Sequence, residues 1–219
     1  MPVSIRYTTH TFPSPIGVLL LAATKSGICL VKYLDSPSGE ANPVKSLLAW
    51  TKTHKIDAAV TKAKEDSVLS DAVRAIEASV GGVDGNAKMD SLPVDLSLVG
   101  TTFQRSVWKS LRKVPAGTTV TYAELASLSG SPGASRAVGN ANRSNPVPII
   151  VPCHRCVASD GLGGYAGATD AESVEIKRKV FLLDVEGVKR SPLGSAGRGK
   201  RKRMDDAVDT CILKYVKAC

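Results

Sequence analysis

Two four-residue signatures, Thr101 to Gln104 and Thr121 to Glu124, constrain what this chain can fold into more than any other feature. In each, a threonine stands three places before a Gln or Glu at the head of an amphipathic run. That is a capping box, in which the two side chains satisfy backbone N–H groups that the first helical turn leaves unpaired. "TTFQRSVWKSLRKV" then sets Phe103, Val107, Leu111 and Val114 on one stripe, and "PAG" ends it. "TYAELASLSG" stops at Gly130, after which Ser131 can cap and Pro132 can take the first position of a further helix, "PGASRAVGNANRS". Two short helices joined by a tight glycine turn make a helix-turn-helix candidate, although many helical hairpins that bind no nucleic acid share the pattern. The second helix is slim, with Gly133, Ala134, Ala137, Gly139 and Ala141, and Arg136 is the long side chain of its first turns. Such a helix can enter a narrow groove with the arginine as a wedge. Alternatively, it packs tightly on a neighbour and leaves Arg136 in solvent.

The preceding part reads differently. "SIRYTTHTF" and "GVLLLAATKSGICLVKYL" are strand-like runs cut by the turn signals "PSPIG" and "KSG", which predicts a small antiparallel sheet. Residues 65–80 carry Val68, Leu69, Val73, Ile76 and Val80 at helical spacing. "GGVDGNAKMDS" reads as a loop or linker and "LPVDLSLVG" as one more strand. A chain of 219 residues can form one large or two small domains. The pattern predicts an N-terminal α/β domain over 1–92, a mostly helical domain over 93–190, and a flexible basic tail over 191–219.

The formal charge is +9, and it is unevenly spread. Between Gly100 and Asp160, Arg105, Lys109, Arg112, Lys113, Arg136, Arg143 and Arg155 face only Glu124 and Asp160. A basic middle suits a polyanion, nucleic acid first and an acidic membrane second, or is simply a solvated face. No apolar run reaches membrane length. The five cysteines, Cys29, Cys153, Cys156, Cys211 and Cys219, are odd in number and irregular in spacing. Free thiols in a reducing intracellular compartment are expected, with no secretory leader.

One of those thiols sits in unusual company. "NPVPIIVPCHRCVAS" places Cys153, His154 and Arg155 at the end of an apolar run, "VPIIV", that reads as a buried strand. A free thiol has a pKa near ~8.5, so a base or cation is needed to raise its reactive fraction. Neighbouring strand residues point to opposite faces, so His154 reaches the sulfur only if the chain turns at Pro152. A nucleophile, a buried structural thiol and, least well, a metal ligand all remain open for Cys153. Further on, "GLGGYAG" is a glycine loop that lets a substrate lie against backbone amides. "KVFLLDVEG" ends a helix with Leu182 and Leu183 buried and Glu186 at its C-terminus, where an acid opposes the dipole and hints at a partner.

These stretches together, "TTFQRSVWKSLRKVPAGTTVTYAELA", "RAVGNANRSNPVPIIVPCHR", "GGYAG" and "KVFLLDVEG", resemble the 6-O-methylguanine-DNA methyltransferases. The resemblance is strong over about 95–190 and weaker over "SPIGVLLLAATKSGICLVKYL". It implies an α/β (α+β) fold: a ribonuclease H-like N-terminal sheet domain, then a winged-helix-like domain with a helix-turn-helix. It implies repair of DNA by irreversible, single-turnover self-alkylation. Cys153 would attack the alkyl carbon on O6 of a flipped-out guanine. His154 would take the thiol proton through a water, Glu186 would orient His154, Tyr122 would donate a proton to the departing guanine, and Asn145 would brace the helix-turn-helix. Arg136 would fill the gap in the duplex, with Tyr122, Ala134, Ala137, Gly139, Arg143 and Arg155 along the minor groove. Val147, Pro148, Cys156, Tyr165 and Ala166 would line the pocket. The implied partner is double-stranded DNA carrying alkylated guanine, bound by a monomer that can act cooperatively along DNA. No cofactor and no zinc are expected, because the ligands that would join Cys29 are absent. Cys156 replaces a residue more often aliphatic, and the stretch from Ala168 to Lys179 is longer than usual, which bears on the alkyl size accepted. Lys200–Arg203 reads as a nuclear address or as extra phosphate contacts. Two other classes compete: a lesion-binding relative without catalysis, against which Cys153 argues, and a thiol hydrolase, which leaves the basic helices unexplained.

Overall fold

The computed structural model describes residues 1–34, 42–82 and 86–188. Apolar alternation in the first segment produces β1 (Val3–Phe12), which buries Ile5, Tyr7 and Phe12. β2 (Gly17–Thr24) and β3 (Gly27–Tyr33) follow as an antiparallel meander. β2 lies inside the sheet, so Leu19 to Ala23 are all fully buried and alternate between two cores. Leu19, Leu21 and Ala23 pack into the main core beneath α2 (Ser67–Val80), while Leu20 and Ala22 face Leu47 of α1 (Pro43–Thr53).

The expected antiparallel sheet is present with an addition: β4 (Ala58–Lys62) joins its edge parallel to β1, giving the order β3-β2-β1-β4. Neither α1 nor β4 was read from the sequence, because "AAVTK" is short and half exposed and carries little pattern. The helix expected over 65–80 forms, capped by Asp66, which accepts from Leu69 N–H and also pairs with Arg6 of β1. Two other expectations are corrected. The supposed linker contains a short helix, α3 (Asn86–Ser91). "LPVDLSLVG" is not a strand but a single bridge, with Ile28 N–H donating to Pro93 O and Asp95 N–H to Ile28 O. The Asp95 carboxylate accepts from Thr24 and Ser97 and pins this segment to β2.

Both capping boxes form, opening α4 (Thr102–Leu111) and α5 (Tyr122–Leu128). The next helix, α6 (Ser135–Arg143), starts later than its Pro132 signal suggests, and Ala134 caps it without a side-chain bond. α4 and α6 are tied by Trp108, whose indole N–H donates to Ala141 O at 2.8 Å. The buried run "VPIIV" is not a strand. It folds on itself, with Val151 N–H donating to Val147 O and Ile149 at φ 73°. A short parallel pair, β5 (Val120–Thr121) with β6 (Cys156–Val157), and α7 (Val174–Val185) complete the chain as described. The boundary proposed at 92/93 runs through one continuous core, which extends from Phe12 to Leu182. Polar ties cross it as well: Tyr33 and Tyr165 hydroxyls lie 3.1 Å apart, and Arg178 stacks over Tyr33 and donates to Pro15 O. The tail 191–219 lies outside the described residues.

Candidate active site and nucleic-acid interface

Pro152 ends the folded "VPIIV" segment, and the chain then makes one 3-10 turn, Cys153–Arg155. This turn meets the condition for His154 to share a site with Cys153, since residues on so tight a helix do not alternate faces as on a strand. All three side chains are buried. Asn145, just past α6, holds the turn. Its Nδ2 donates to Val151 O at 2.8 Å, and its Oδ1 accepts from Val147 N–H at 3.0 Å.

His154 Nε2 lies 2.9 Å from Glu186 Oε1. Burial alone would raise the Glu186 carboxyl, but His154 and Arg155 override it and hold it at about 2. An ionised carboxylate only accepts, so Nε2 carries the imidazole proton and Nδ1 carries the lone pair. Burial keeps His154 neutral by pushing its pKa down, against the pull of Glu186. Nδ1 has no hydrogen-bond partner among the described residues. A neutral, oriented imidazole with an unbonded basic nitrogen has the chemistry of a general base, and it follows the thiol directly in the chain. The thiol needs one: burial raises the Cys153 pKa, and Asn145 and Lys179 only partly offset that.

Arg155 corrects an expectation. It is 6% exposed and grips Glu186 with Nε and Nη2, while Nη1 donates to Val114 O. A guanidinium saturated in this way is not available to a phosphate; it is the partner that the acid at the end of α7 called for. Two more cations of the basic middle bond backbone carbonyls while staying half-exposed. Arg105 donates to the carbonyls of Val99 and Gly100, and Arg112 to those of Asp90 and Leu92. Lys109, Lys113, Arg136 and Arg143 remain exposed. On α6, Arg136, Ala137 and Arg143 are exposed, Gly139 is half-buried, and Ala134 packs against the core.

A cavity of about 160 Å³ opens beside Cys153. One wall is Gly139, Asn142 and Arg143 of α6 with Tyr122, the first residue of α5; the other is the loop from Gly164 to Thr169. Of the residues expected to line it, Tyr165 and Ala166 do so. Val147, Pro148 and Cys156 are not part of its lining; Val147 and Cys156 are fully buried in the core instead. The loop approaches closely where it lacks side chains: a Cβ on Gly163 (φ 69°) would sit 3.2 Å from the Tyr122 hydroxyl, and one on Gly167 (φ 94°) 2.8 Å from Arg143 Nε. Burial raises the Tyr122 pKa, so its phenol stays a proton donor.

Two residues of the site were missed. Asn142 lines the cavity, and its side chain draws the Cys156 thiol's pKa down against the effect of burial. Lys179 is fully buried and donates to the carbonyls of Cys156, Leu162 and Gly164. Its spacing from Ile176, Leu182 and Leu183 put it on the buried face of α7, which was the available signal. Among the described residues no three His, Cys, Asp or Glu side chains form a metal-binding group, and no helix is long and apolar enough to cross a membrane. Cys29 is a core thiol that donates to Ala22 O.

Comparison with known proteins agrees with this arrangement. Residues 102–188 match the family model described as 6-O-methylguanine DNA methyltransferase, DNA binding domain. The methylated-DNA–protein-cysteine methyltransferase of Methanosarcina acetivorans is 38% identical over 177 residues, 80% of this chain and 96% of that protein. Its counterpart in Mycobacterium tuberculosis is 37% identical over 178 residues, covering 81% of this chain and 90% of its own. Among solved structures, M. tuberculosis O6-methylguanine methyltransferase superposes with a TM-score of 0.59 at 35% identity, covering 83% of this chain and 92% of its own. M. tuberculosis OGT in complex with DNA gives 0.57 at 35% identity, covering 84% and 92%. The chain belongs to the methylated-DNA–protein-cysteine methyltransferase family.

Proposed function

We propose that this protein repairs alkylated DNA by transferring the alkyl group from O6 of guanine to its own Cys153. The observation that carries the reading is a thiol on the wall of a cavity, followed in the chain by an imidazole held by Glu186 with its other nitrogen unbonded among the described residues. His154 Nδ1 takes the thiol proton, directly or through a water. The sulfur attacks the alkyl carbon in line; the S–C bond forms as the C–O6 bond breaks, and the electron pair leaves with guanine. Tyr122 supplies the proton that neutralises the departing base, and the proton lost by the thiol balances it. The thioether is not hydrolysed, so each molecule acts once.

The base must leave the stack to reach Cys153, at a cost of ~a few kcal/mol. The exposed Arg136, Ala137 and Arg143 face of α6 adjoins the cavity and suits the minor groove, with Arg136 filling the space the base vacates. The carbonyls after Cys153 and the amide near Ala166 would read the guanine edge. The protein acts as a monomer on double-stranded DNA, with cooperative binding open to titration. Nuclear entry through Lys200–Arg203, outside the described residues, is tested by imaging the tagged chain with and without that cluster.

The deciding experiment incubates the protein with a duplex carrying one O6-methylguanine and weighs the peptide that holds Cys153. One methyl replaces one hydrogen, at most once per molecule, and Cys153→Ala shows none. DNA binding with no mass gain sinks the reading.

A further inference from the structure

We propose that Lys179 is a positioning residue of the alkyl-acceptor site, an internal strap that ties the glycine loop to the chain immediately after the nucleophile. The inference rests on the alkyl-transfer reading above. Lys179 is fully buried, and its Nζ donates to Cys156 O at 2.7 Å, Leu162 O at 2.7 Å and Gly164 O at 3.0 Å. An ammonium has three donors, and here each is used. One carbonyl belongs to the residue that closes the nucleophile's turn and two to the glycine loop, of which Gly164 lines the pocket. Cys156 closes the nucleophile's turn, its N–H bonded to Cys153 O, whereas Leu162 and Gly164 flank the Gly163 approach to Tyr122 and lead into Tyr165 and Ala166.

The loop needs such a strap because it makes few ladder bonds of its own. Among its described backbone bonds are those between Tyr165 and Ala168 and the one from Gly161 N–H to Ala158 O. Without Lys179, the Cys156, Leu162 and Gly164 carbonyls would lose their common donor. A purely electrostatic role on the thiol is the lesser part of what the ammonium does. It does pull the Cys153 pKa down, but burial outweighs it and the resting sulfur stays protonated.

The strap is also sensitive to alkali. The groups that face the ammonium are the Cys153 and Cys156 thiols and the His154 imidazole. Burial lowers the Lys179 pKa to about 8. Above that pH a neutral amine has two N–H groups for three carbonyls, and the loop loses a tether.

The test compares wild type with Lys179→Met in single-turnover methyl transfer from an O6-methylguanine duplex, over a range of DNA concentrations from pH 6.5 to 9.5. The saturating rate in the variant falls about 10- to 100-fold near pH 7, the order expected when a positioned group shifts by ~1 Å. The half-saturating DNA concentration stays within about twofold, because Lys179 is fully buried and offers no surface to DNA. The ratio of wild-type to variant rates shrinks as pH rises through about 8, since only wild type has an ammonium to lose. Equal saturating rates, a loss confined to DNA binding, or a pH-independent ratio would each overturn the strap. Should Lys179→Met fail to fold, hydrogen exchange on wild type decides. Protection over 162–168, corrected for intrinsic base catalysis, drops between pH 7 and 9.5 if the strap exists and holds constant if it does not. Absence of methyl gain in wild type would overturn the alkyl-transfer reading instead, leaving the exchange measurement to judge the strap.

Discussion

At the scale of single residues, the site is built from groups whose protonation is fixed by burial. Glu186 and His154 each make the fold sensitive to acid, and with the same sign. The histidine is kept neutral below its ordinary value, so as pH falls through ~6.5 the unfolded chain takes up a proton that the folded one refuses, and stability is lost. The Glu186 carboxylate, held at about 2, contributes stability above its ordinary value of 4.5 that disappears between there and about 2. Thermal melts should therefore show the midpoint declining below pH ~6.5 and declining again below ~4.5. His154→Gln should remove the first step and Glu186→Gln should shrink the second, leaving the share of Asp66 and Asp95, whose carboxyls are also held low by their hydrogen bonds. Removing the guanidinium is worse. Arg155→Met leaves a buried carboxylate without its cation, and urea unfolding should show a loss on the order of 3–5 kcal/mol.

At the scale of elements, α6 and the turn beyond it divide the labour. Arg136 is exposed on α6, while Asn145 is tied to Val147 and Val151. Arg136→Ala should cut the repair rate on duplex by about tenfold or more, yet leave reaction with free O6-alkylguanine base within about twofold, since wedging matters only when a base must be extruded. Equal losses on both substrates would remove the wedge. Thr121→Ala removes the cap that starts α5 and should cost ~1 kcal/mol of stability. Tyr122 is the first residue of that helix, so fraying there should also slow transfer. Raising salt should weaken DNA binding steeply as phosphate contacts release counterions. The slope should reflect Lys109, Lys113, Arg136 and Arg143 above all, because Arg155 is buried on Glu186 and the half-exposed Arg105 and Arg112 are bonded to backbone carbonyls.

At the scale of the molecule, the sheet and the helical half share one core, fastened by Tyr33 to Tyr165 and by Arg178 to Pro15. The chain has two tryptophans, Trp50 in α1 and Trp108 in α4, one on each side of the proposed boundary. Fluorescence unfolding of Trp50→Phe and Trp108→Phe should give coincident transitions, as expected of one cooperative unit. Two separated midpoints would show that the halves unfold independently.

What the sequence determined by itself was local. The capping boxes at Thr101 and Thr121, the first three strands and α2 were legible because each depends on residues a few places apart, and the P-C-H-R run pointed, through resemblance, to the nucleophile and base proposed above. What only the tertiary structure decided was long-range. It turned "VPIIV" into a buried fold instead of a strand, set Arg155 on Glu186 31 residues away, and placed Lys179 across three carbonyls. A charged side chain is written the same way whether it faces water or a buried partner, and only the folded chain supplies the partner that makes burying it affordable.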